Sequence, residues 1–279
     1  MKRIVKSQVK GFPTKDGAGV SLVRVLGPNT AKEFDPILML DSFDSECPDD
    51  YRAGFPMHPH RGMETISYVA KGRMQHRDSL GYSDTISDGE VQYMTAGSGI
   101  LHEEMIPESE RLLGAQLWLN LPKEEKMTDP MYRSIKREEI QEIDFDGGML
   151  RLLMGTYKQY SGICGKHLPF DYYDIQLEAN QTITLDTEEQ RSVMVFTLLG
   201  NICIEGTVVS EKTAAKLSEG TSVTIQSMET AAQVLFISSQ KLEETIAWGG
   251  PIVMNTQTEL QEAFNELQEG KFLKKKIAY

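Results

Sequence analysis

Residues 55–72 read FPMHPHRGMETISYVAKG and residues 92–104 read QYMTAGSGILHEE. The chain has five histidines, and three of them, His58, His60 and His102, fall in these two stretches, with Glu104 two residues after the last. In a strand, residues i and i+2 share a face while the residue between them looks away. His58 and His60 therefore project together, with Pro59 turned outward. His102 and Glu104 repeat the pattern, with Glu103 outward. Two such pairs facing each other across an antiparallel barrel put three neutral imidazoles and one carboxylate around a single point. That mixed nitrogen and oxygen set suits a divalent first-row transition metal such as Fe(II), Mn, Ni or Cu(II).

Working outward, short β-branched and aromatic runs continue on both sides: TISYVA (65–70), MQHRDS (74–79), VQYMTA (91–96) and AQLWLNL (115–121). Gly and Asp punctuate them, and Gly97 and Gly99 tolerate the positive φ of a tight turn before His102. The opening MKRIVKSQVK reads as an edge strand, and LPKEEKMTDPMYRSIKREEI (121–140) reads as a charged connector. The second half repeats the same grammar in MLRLLMG, YYDIQLEA, SVMVFTLLG and QVLFIS, but His167 stands there without a partner two residues away. The expected fold class is all-β: two antiparallel barrels of the jelly-roll type. A cut near residue 140 gives residues 1–140 as the metal-binding barrel and residues 141–279 as a metal-free, supporting barrel. Near the end, a Thr-x-x-Glu capping box precedes Leu260, Ala263, Phe264 and Leu267 at helical spacing, so a C-terminal helix is assigned to the second barrel. Gly270 stops it, and KFLKKKIAY (271–279) closes the chain as a solvated basic tail.

Composition excludes several function classes. A net charge of −12 argues against direct nucleic-acid binding and against anionic membranes. The longest apolar runs, such as Val193–Leu199, fall far short of the roughly 20 residues of a membrane helix, and no signal peptide is read, so the expected compartment is the cytoplasm. The three cysteines, Cys47, Cys164 and Cys203, are too scattered for a disulfide framework.

The segments HPHRGMETISYVAKG, HRDSLG, QYMTAGSGILHEEM and GGPIVMNT, spread from about residue 54 to residue 270, resemble the pirin family within the cupin superfamily. The resemblance implies a bicupin, two double-stranded β-helix barrels. It also implies one metal in the first barrel, held by the residues matching His58, His60, His102 and Glu104, with Fe(II) the expected ion and Mn, Ni, Cu or Zn as alternatives. The implied activity is a metal-dependent quercetin 2,3-dioxygenase, with a flavonol-type phenolic substrate and dioxygen as partners. The alternative is an iron-containing redox sensor acting through contact with a regulatory protein partner, without turnover. Many cupins use a ligand at the position of Glu64. Glu64 and Glu104 are therefore both in play, Glu104 as ligand and either one as the base that takes a substrate proton. Arg61, His76 and Arg77 are candidates to orient a ligand or a substrate hydroxyl, and Met63, Met74 and Met105 to line the cavity.

Overall fold

The computed structural model describes residues 1–275, so the last four residues of the basic tail lie outside it. Two compact units emerge, and each draws on separated parts of the chain. One contains residues 1–12, 23–36 and 138–241; the other contains residues 13–22, 37–137 and 242–279. The single cut at 140 is thereby corrected at both ends. Val5–Lys10 is an edge strand, as its loose alternation indicates, but it pairs antiparallel with Thr213–Leu217 in the unit without paired histidines. The C-terminal helix belongs to the histidine unit. Its buried Leu260 and Ala263 pack with Ala247, Ile252, Met254 and Phe272, all contributed by the same terminal segment.

In the histidine unit, a seven-stranded sheet begins, in spatial order, with Met131–Ile135, Glu90–Thr95, Met63–Lys71, Leu112–Asn120 and Ile37–Ser45. A four-stranded sheet runs Phe55–His60, Ile100–Met105, Met74–Asp78, Ser83–Ile86. The named pairs in both are antiparallel. Met63–Lys71 is buried along all but its last residue, as expected of a central strand covered on both faces. Phe43, Val69, Met74, Ile86 and Leu112 are among the apolar side chains that pack together in this core. Met131–Ile135 lies inside the stretch that reads as a connector from sequence. Its tyrosine and isoleucine are buried, and it pairs with Glu90–Thr95. Charged residues on both sides of those five residues mask the short alternation.

The other unit is built the same way. A seven-stranded sheet centred on Ser192–Leu199, Ala232–Ser239 and Phe170–Leu177 is accompanied by a four-stranded sheet, Thr182–Asp186, Ser222–Ser227, Ile202–Ile204, Thr207–Val209. Leu152, Ile175, Val195, Phe236 and Ile225 are among the residues that fill its interior. The chain is thus all-β, two antiparallel barrels with, among the described residues, one α-helix, Gln257–Gln268. Thr256 caps that helix through the reciprocal bonds with Glu259 read from sequence, and Gly270 follows its end at φ +70°.

Candidate metal centre

Strand register builds the site row by row. Across the four-stranded sheet, His102 stands opposite His58 on one side and Asp78 on the other, and Glu104 stands opposite His76. The strand Phe55–His60 brings His60 to the same face as His58, and their Nε2 atoms are 3.1 Å apart. The ligand atoms of His58, His60 and His102 all lie within 4.8 Å of one another. Gly97, at φ +50°, turns the chain before His102; a Cβ there would sit 2.2 Å from the carbonyl oxygen of Thr128.

Each imidazole has a defined orientation. His58 Nδ1 donates to the Pro56 carbonyl at 2.8 Å, and His60 Nδ1 donates to the Pro251 carbonyl at 3.0 Å. With Nδ1 protonated, both rings present a bare Nε2 to the centre of the cluster. His102 is 1% exposed, and neither of its ring nitrogens has a hydrogen-bond partner. Burial, and secondarily the neighbouring His58, pull the pKa of His60 down to about 3; burial likewise lowers that of His102. Both rings therefore remain neutral and able to donate a lone pair through the physiological range.

Glu104 lies outside that group of ligand atoms, on the same face of the strand as His102 and buried. Gln92 donates to it at 2.5 Å, Gln116 at 2.9 and 3.1 Å, and Ser67 at 3.4 Å. These three side chains form one row across adjacent strands, since Ser67 pairs with Gln92 and with Gln116. All the donors are neutral. A buried carboxylate held only by neutral donors calls for a cation, and so do three convergent lone pairs and an imidazole with two orphaned nitrogens. The residues therefore fit a divalent metal.

Glu64 separates from Glu104 on parity. No bulge interrupts residues 64–67 of its strand, so Glu64 looks to the face opposite Ser67 and away from the row that holds Glu104. There its Oε1 accepts from Tyr93 OH at 2.6 Å and Thr95 Oγ1 at 2.7 Å. Glu64 is thus a buried carboxylate bonded on the opposite face.

The other sequence candidates divide. His76 is fully buried in the cluster, 5.4 Å from the ring of His102. It is bonded through Nε2 to Asp78 at 2.8 Å and stacked on Tyr132 at 3.9 Å. Arg77 is largely exposed and pairs with Glu103 on the outward face. Met105 shares that outward parity and is exposed, whereas Met63 and Met74 are buried. Arg61 does not face the cluster. Its guanidinium donates to the carbonyls of Ser98 and Phe272, pairs with Glu266 at 2.8 Å and lies 4.2 Å over the Phe272 ring. It anchors the terminal segment whose Pro251 carbonyl orients His60.

Lys126 reinforces that anchor. Its Nζ donates to the carbonyls of Gly62 and Val253 and to Asn120 Oδ1. These oxygens match the three N–H bonds of an ammonium, while burial opposes them and pulls the pKa down to about 7.

Sequence reasoning passes over Asp78, Gln92, Gln116, Lys126, Tyr132 and Pro251. The two glutamines carried a usable signal, because each is a polar residue at an inward position of an otherwise apolar strand. Lys126 and Tyr132 lay within the apparent connector, and the Pro251 carbonyl leaves no side-chain trace.

Comparison with known proteins agrees with this fold. The pirin family model matches residues 19–119, and the pirin C-terminal cupin domain model matches residues 172–273. A pirin-like protein of Caulobacter vibrioides is 38% identical over 275 residues, which cover 97% of this chain and 99% of that protein. Pirin of Homo sapiens is 32% identical over 92% of this chain and 89% of its own length. A crystal structure of quercetin 2,3-dioxygenase from Acinetobacter baumannii superposes with a TM-score of 0.89 at 32% identity, covering 98% of this chain and 99% of that one. Motifs, fold and relatives converge, and the chain belongs to the pirin family of the cupin superfamily.

Proposed function

We propose that this protein is a metal-dependent dioxygenase with quercetin 2,3-dioxygenase activity on flavonol-type substrates, and that His58, His60, His102 and Glu104 hold the metal, Fe(II) in the native state. The observation that carries this reading is the convergence of three imidazoles, two with Nδ1 locked to carbonyl oxygens and one with both nitrogens unpartnered. The likeness to the Acinetobacter baumannii quercetin 2,3-dioxygenase adds support at the level of the whole chain. When bound, the metal supplies Lewis acidity for the flavonol hydroxyl and redox reach toward dioxygen.

The protein's own residues do the rest. The carbonyls of Pro56 and Pro251 fix which nitrogen of each ring faces inward. Gln92, Gln116 and Ser67 hold the Glu104 carboxylate against the centre, where it takes the proton of the substrate hydroxyl. Asp78 holds His76 beside His102, and the Tyr132 ring closes that side against water.

The test is aerobic incubation of iron-loaded protein with quercetin. Carbon monoxide release and loss of the flavonol absorbance are expected, and His58→Ala or His102→Ala should abolish both. Turnover that survives either substitution would sink the assignment.

A further inference from the structure

The chain has two tryptophans, 130 positions apart in sequence, and the fold brings them together. The rings of Trp118 and Trp248 lie 5.9 Å apart at 35°, and Trp118 meets His60 at 4.9 Å, edge to face at 82°. Trp118 shares its strand face with Gln116, whose amide holds Glu104, so the indole lies against His60 and beside the amide that holds the carboxylate. His60, His102 and Glu104 are almost wholly buried, whereas both indoles are only partly so. Both N–H groups are already bonded, Trp248 to the carbonyl of the exposed Gly250 at 2.8 Å and Trp118 to Gln116 Oε1 at 3.4 Å. Two large apolar rings are thus left accessible next to a polar, buried cluster.

We propose that Trp118 and Trp248 form an aromatic shelf that receives the planar conjugated rings of the substrate while its hydroxyl-bearing edge reaches the histidine cluster. This rests on the flavonol-type reading above and deepens it. Stacking needs planarity and polarisable π density and is indifferent to the hydroxyl pattern. The shelf therefore selects flat flavonols over their 2,3-dihydro counterparts, whose saturated ring bends the molecule. It tolerates different substituents on the distal ring.

The test is anaerobic calorimetry of the iron-loaded protein with quercetin and with dihydroquercetin, in the wild type, Trp118→Leu and Trp248→Leu. Metal content and melting temperature are checked in each. Quercetin should bind the wild type more tightly than dihydroquercetin. Each leucine variant should lose about two- to tenfold in quercetin affinity, with dihydroquercetin nearly unaffected. Trp118→Phe and Trp248→Phe, which keep an aromatic ring and most of the packing, should show a smaller loss, and they carry the test if a leucine variant does not fold. Unchanged quercetin affinity in the variants of both positions overturns the shelf even if turnover persists. Tight, tryptophan-dependent binding without consumption in air sinks the dioxygenase reading and leaves the shelf standing. No binding of quercetin by the wild type removes both.

Discussion

The acid sensitivity of the metal-free protein follows from His60. In the fold its pKa is about 3, chiefly because the ring is buried and secondarily because His58 is beside it, against an ordinary value of 6.5. Between those limits the unfolded chain binds a proton that the folded chain refuses, so stability rises with pH and is lost as pH falls below 6.5. Each unit of separation is worth about 1.4 kcal/mol, so moving from pH 7 to pH 5 costs about 2 kcal/mol through this one ring. His102 adds a loss of the same sign. The assay is urea unfolding of chelator-treated protein followed by tryptophan fluorescence. Because Trp118 and Trp248 both belong to the histidine unit, the signal reports that unit. Replacing His60 by Gln removes the titrating ring, so the stability lost between pH 7 and pH 5 should be about 2 kcal/mol smaller in the variant than in the wild type. Parallel pH slopes in the two proteins would refute the reasoning.

Two further outcomes follow from buried cations. Arg61→Ala removes two carbonyl contacts, the pair with Glu266 and the Phe272 stack. A loss of about 3 kcal/mol is expected, at the low end for a buried pair because Glu266 reaches water, together with faster proteolysis of the terminal segment. Lys216, buried with its Nζ donating to Ser192, has its pKa lowered to about 8, again mainly by burial. Stability of the wild type should therefore climb between pH 8 and 10.5 by about 3 kcal/mol relative to Lys216→Met, as read by circular dichroism at a series of pH values.

Much of the site was legible because strand parity is a strict rule. His58 with His60, and His102 with Glu104, needed only the two-residue period, and the capped helix at Gln257–Gln268 needed only its box and its spacing. What escaped depends on register, which parity does not fix. Ser67, Gln92 and Gln116 align only because three strands pair as they do, and that alignment builds the row that holds Glu104. Chain-order segmentation failed at the ends for a similar reason. Val5–Lys10 pairs with Thr213–Leu217, and Glu266 of the helix pairs with Arg61; both partners lie far away in sequence, and local composition carries no record of them.

The carbonyl that orients His60 comes from Pro251, 191 residues downstream. During synthesis, which runs from the N-terminus, all three imidazoles leave the ribosome long before that acceptor exists. The nascent barrel therefore carries a loosely oriented His60 until the terminal segment docks through Arg61 and Lys126. Completion of the histidine cluster thus waits on the last part of the chain: a product cut short of Pro251 keeps every histidine of the cluster yet lacks the group that fixes one of them.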